Sequence, residues 1–97
     1  MCRNIRVLYN FEPPTTREEM AAAALQYVRK VSGLAAPSKA DHDAFDRAVK
    51  DVTAITERLL ESLIARTGVR TREGEREKAR ARSKLRAAAG AEGPRLR

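Results

Sequence analysis

Cys2, Arg3, Asn4 and Arg6 crowd four chemistry-bearing side chains into the first six residues of this 97-residue chain. Were Met1 removed, Cys2 would carry a free thiol beside a free amine, a pair able to chelate or to attack an electrophile. The neighbouring guanidiniums of Arg3 and Arg6 favour the thiolate. Arg suits phosphate or carboxylate, and Asn completes a small anion site. The plainer reading packs Cys2 as a small residue and pairs Arg3 and Arg6 with Glu12, Glu57 or Glu61. No His or second Cys close in sequence completes a site, so no catalytic residue is named.

Asp41-His42-Asp43 offers metal-type ligands, but adjacent helical positions point in different directions. A polar first turn is the expected reading. No phosphate-binding glycine loop, paired metal motif or serine elbow is present, and no metal or cofactor is expected.

A second candidate set is Arg76, Lys78, Arg80, Arg82, Lys84 and Arg86. Residues 1–65 hold nine Lys/Arg and nine Asp/Glu, whereas residues 66–97 hold eleven basic and four acidic residues and so carry the whole net charge of +7. A polyanion partner, nucleic acid or ribosome, would therefore engage the tail by counterion release. The tail has no aromatic residue to stack on a base and no recognised nucleic-acid motif, so contact would be sequence-independent. The competing reading is a solvated extension that aids solubility.

The elements that must position these groups are helical. Phe45, Ala48, Val52, Ile55 and Leu59 recur at steps of three and four, with Val49, Leu60, Leu63 and Ile64 beside them. This predicts a helix over 38–66 capped by Ser38. Thr15-x-x-Glu18 and Thr16-x-x-Glu19 each fit a capping box opening a helix over 16–32, which Gly33 stops. The short link between them implies an antiparallel two-helix hairpin. The second helix, about 28 residues or 42 Å, outruns the first, about 17 residues or 25 Å. Its overhang carries Leu59, Leu60, Leu63 and Ile64, which need a cover.

Residues 2–14 are the candidate cover. Ile5, Val7, Tyr9 and Phe11 alternate in a strand-like way, but no second strand pattern follows, so an extended arm laid on the helices is expected. Glu12-Pro13-Pro14 ends it. Beyond Gly68 the chain lacks core-forming residues, and a largely disordered or solvated-helical basic tail over 68–97 is expected. The fold class is therefore all-α, with residues 1–67 as the domain. So thin a core favours a homodimer. One cysteine excludes an internal disulfide, no apolar run spans a membrane, and no secretory pattern opens the chain, so a cytoplasmic location is expected.

MCRNIRVLYNFEPPTTREEM, ALQYVRKVSG, PSKADHDAF and LLESL together resemble a family of small bacterial proteins, domain of unknown function 2277, over residues 1–65. The resemblance implies a short helical cytoplasmic protein and carries over no catalytic or binding residue. Two functions stay open: a non-enzymatic binding module whose tail engages nucleic acid, and a small catalytic or ligand-binding protein using Cys2, Arg3, Asn4 and Arg6.

Overall fold

A computed structural model describes residues 3–92. Among them are three α-helices, α1 (Arg17–Ser32), α2 (His42–Ser62) and α3 (Arg72–Glu92), and no strand.

Helix α1 begins and ends on local chemistry. Thr16 is its N-cap: the Thr16 hydroxyl accepts from the Glu19 amide at 3.1 Å, and the Glu19 carboxylate accepts from the Thr16 amide at 2.8 Å. Both exchanges satisfy amides that the first helical turn leaves without partners. At the far end Gly33 turns left-handed at φ 75° and donates its N–H to the Arg29 carbonyl. Met20, Ala24 and Val28, four residues apart, form the buried stripe of α1.

Helix α2 packs this stripe. It is shorter at both ends than its sequence pattern predicts. Ser38 does not cap it: the Ser38 hydroxyl accepts from the Asp41 amide and donates to the Asp41 carboxylate, a closed turn that delays the helix to His42. At the other end the helix stops at Ser62, four residues before the predicted limit at Arg66, and the chain turns extended at Leu63 (ψ 148°). The inward face also differs. Thr53 is its buried centre, with Val49, Thr56 and Leu60 half-buried around it. The Thr53 hydroxyl donates to the Val49 carbonyl at 2.7 Å, which lets a polar residue occupy an apolar seam. Ile55 and Leu59, placed by periodicity in the main stripe, are more than half exposed.

Residues 3–15 lie along this pair without forming a strand. The Gln26 side-chain carbonyl accepts the amides of Asn4 and Ile5 at 2.8 and 3.1 Å. Thr15 donates its hydroxyl to the Leu8 carbonyl. Phe11 and Arg70 form one isolated parallel bridge: the Arg70 amide donates to Asn10 at 2.8 Å, and the Glu12 amide to Arg70 at 2.9 Å. Asn10 adopts φ 64°, a conformation Asn tolerates, and its side-chain amide donates to the Thr67 and Gly68 carbonyls.

Helix α3 packs against neither α1 nor α2. Thr71 opens it, its hydroxyl accepting the Gly74 amide at 2.9 Å. About 31 Å long, it makes the molecule flat and elongated, 51 × 38 × 17 Å. The radius of gyration is 17.6 Å, against about 12 Å for a compact chain of this length.

Candidate functional site

One side chain ties the root of α3 to α1 and to the double proline. The Arg72 guanidinium donates to both Glu19 carboxylate oxygens, at 3.1 and 2.9 Å, and to the Pro13 and Pro14 carbonyls, at 2.7 and 3.3 Å. Its planar fork matches a carboxylate and its flat face suits an aromatic ring. That ring is Phe11, whose centroid lies 5.2 Å from the guanidinium carbon. The Arg72 bonds, with the Thr16 amide, hold the Glu19 carboxyl down to about 2. Glu19 in return pushes the Arg72 pKa further up. One carboxylate thus caps α1 and anchors α3.

Beside this clamp runs a cavity of about 490 Å³ between residues 6–15 and the first three turns of α3. Val7, Leu8, Phe11 and Ala79 give it an apolar wall. Arg6, Arg72, Arg76 and Arg82 bring four guanidiniums to it, against the carboxylates of Glu19 and Glu75, so its lining is net positive. The cations differ in availability. Arg72 is committed to Glu19, and Arg76 donates to Glu73 at 2.6 Å. Arg6 lies 3.7 Å from Glu19 and is half exposed. Arg82 has no carboxylate partner among the described residues. A second, shallower cleft separates Leu8–Phe11 from Leu60 and Glu61 of α2. Leu60 is half-buried beside this cleft, whereas Leu63 and Ile64 stay exposed.

The two residue sets expected from the sequence meet here in part. Cys2 lies outside the described residues. Arg3 is exposed, and its carbonyl accepts from Arg6 at 3.4 Å. Asn4 is tied to Gln26 through its backbone. Arg6 alone of that set lines the cavity, where Arg76 and Arg82 of the second set join it. Arg6 pairs with Glu19, not with Glu12, Glu57 or Glu61; Arg17 takes Glu57. Lys78 pairs with Glu75 and Arg80 with Glu73 and Glu77, one or two turns away. Arg82, Lys84 and Arg86 extend beyond these acids as exposed cations. His42 is an exposed residue 3.6 Å from Asp43. Among the described residues no group of three or more His, Cys, Asp or Glu side chains is placed to hold a metal ion. No helix there is long and apolar enough to cross a membrane.

Gln26, Arg70, Thr71 and Arg72 are structural residues that the periodicity did not single out. Their side-chain hydrogen-bond partners lie 21 or more residues away, except for the cap at Thr71, and Arg70 also lies 3.9 Å from Glu75. The one sequence signal was compositional: Arg70 and Arg72 fall just beyond the last apolar run, where a chain leaving the core has few other anchors.

A protein-family model described as uncharacterized conserved protein (DUF2277) matches residues 1–78, and the chain belongs to that family. The match reaches past the second helix and takes in the Arg70 bridge, the Arg72 clamp, Arg76 and Lys78; Arg80 to Arg86 lie beyond it. No curated protein and no solved structure matches the chain.

Proposed function

We propose that this protein is a bacterial, cytoplasmic, non-enzymatic binding module that presents α3 to a polyanion, nucleic acid or the ribosome, from a small helical base. The base is an antiparallel α1–α2 hairpin crossed by residues 3–15 as an arm. The meeting of Arg17, at the start of α1, with Glu57, in the last third of α2, supports that arrangement.

One observation carries the functional reading. Helix α3 stands clear of the bodies of α1 and α2 and is rooted through Arg72 on Glu19. Along it, Lys78, Arg82 and Arg86 form one row at four-residue spacing, and Arg76, Arg80 and Lys84 form another. Such rows repeat a positive charge about every 6 Å, and each neutralised phosphate releases counterions. The early cations of α3 are partly spent on Glu73, Glu75 and Glu77; the later ones are not.

Fluorescence anisotropy with a labelled duplex, across salt from about 50 to 200 mM, tests this. The native chain should show a steep linear fall of log affinity with log salt. Joint Lys84→Glu and Arg86→Glu substitution should make the slope shallower by about two and weaken binding at every sequence alike. Absence of binding by the native chain at the lowest salt would end the reading.

A further inference from the structure

We propose that the cavity between residues 6–15 and the root of α3 binds a small organic anion, a carboxylate or phosphate monoester carried on a compact apolar body. Its volume, about 490 Å³, lies in the range of small-molecule sites. Its chemistry is two-sided. Val7, Leu8, Phe11 and Ala79 offer an apolar wall, and Arg6 and Arg82 stand on opposite elements with guanidiniums not consumed by a strong ion pair. Arg82 has no carboxylate partner among the described residues, and Arg6 has a 3.4 Å hydrogen bond to the Arg3 carbonyl and, as its one carboxylate there, the 3.7 Å contact to a Glu19 that Arg72 already occupies. An anion entering between them would receive charge-assisted hydrogen bonds from both sides. The apolar body would rest against Phe11 and Ala79.

The wall is preformed. Phe11 is held by the bridge to Arg70 and by the Arg72 guanidinium on its ring. A ligand therefore need not order the site, which lowers the cost of binding. This site differs from the polyanion surface in the same helix: Lys84 and Arg86 do not line it, and the polyanion reading needs no apolar wall.

Titration of the full chain with phenyl phosphate, followed by amide resonances and calorimetry, tests the proposal. Val7, Leu8, Phe11 and Ala79 should shift saturably. Phenol, which lacks the charge, should bind at least about tenfold more weakly, and inorganic phosphate, which lacks the apolar body, should also bind more weakly. Ala79→Leu, on an exposed face of α3, should fill the space and lower affinity by about fivefold or more. Arg82→Gln should weaken phenyl phosphate but not phenol. Arg6→Gln should do the same. Lys84→Glu with Arg86→Glu should leave phenyl phosphate binding within about twofold, so failure here and failure of polyanion binding are separable. Equal affinity for phenyl phosphate and inorganic phosphate, or full affinity in Ala79→Leu, would overturn the cavity site. Phosphatidic acid vesicles present the same phosphate group at a surface. Capture by those vesicles that Ala79→Leu does not weaken, with no shift by phenyl phosphate, would also overturn it.

Discussion

Glu19 accepts hydrogen bonds from its own helix terminus and from an arginine 53 residues away. Its carboxyl is lowered from an ordinary 4.5 to about 2, chiefly by the Arg72 hydrogen bonds. The folded state therefore holds the carboxylate more strongly than the unfolded chain does. This contribution is complete above the unfolded value, and it is lost as pH falls from 4.5 through 2. Glu19 is about one quarter exposed, at 23%, so solvent screening trims the effect to on the order of 1–2 kcal/mol. Urea unfolding should lose that much between pH 6 and pH 2 in the native chain. Glu19→Gln should start lower at pH 6 and lose correspondingly less on acidification; an equal acid loss in both would contradict the assignment. The Thr16–Glu19 cap was legible because a cap is written in adjacent residues. The Arg72 contact was not, since no period or spacing links residue 19 to residue 72.

At the scale of elements, α1 was legible nearly to the residue. Its boundaries rest on a capping box and on a glycine at positive φ, both local devices. Gly33→Ala should cost about 1 kcal/mol in urea unfolding, because a Cβ disfavours φ 75° although nothing crowds the site. Helix α2 was legible in type and blurred at its ends. Its amphipathic pattern continues through Leu63 and Ile64, but those residues leave the helix as the chain runs toward the Arg70 bridge. Apolar periodicity reports which residues prefer burial; it does not report where a tertiary contact draws the chain away. The alternating Ile5, Val7, Tyr9 and Phe11 show the same limit, giving a single bridge because the partner segment is only one residue deep. That partner lies beyond residue 67, the boundary expected for the domain. Comparison of fragments 1–67 and 1–78 tests where the folding unit ends. Fragment 1–67 lacks both backbone bonds of the bridge as well as the clamp, and it should be less stable by about 2–3 kcal/mol in chemical denaturation. Fragment 1–78 should match the full chain within about 0.5 kcal/mol. Equal midpoints for the two fragments would place the boundary at 67.

For the whole molecule the governing fact is surface. The chain exposes 7704 Å², whereas a compact monomer of 10.8 kDa exposes roughly 5,500 Å². Part of the excess is α3, which is polar and tolerates water. Part is not: Ile55 and Leu59, one turn apart on α2, are 56% and 54% exposed, and α1 covers only the adjoining arc through Thr53 and Leu60. Among the described residues three apolar side chains are buried, Met20, Ala24 and Val28, a core too thin to hold a domain by itself. A homodimer in which α2 meets α2 across a two-fold axis would bury Ile55 and Leu59 of both copies with one self-complementary patch. It would leave both α3 helices free to project, doubling the cationic surface offered to a polyanion. Sedimentation at micromolar concentration should then give the mass of two chains. Leu59→Glu should give one chain, with helical circular dichroism retained and with weaker, less salt-sensitive duplex binding through loss of the second α3. A native chain that sediments as a monomer would remove the dimer. Unchanged duplex binding by a monomeric Leu59→Glu chain would instead show that a single α3 suffices.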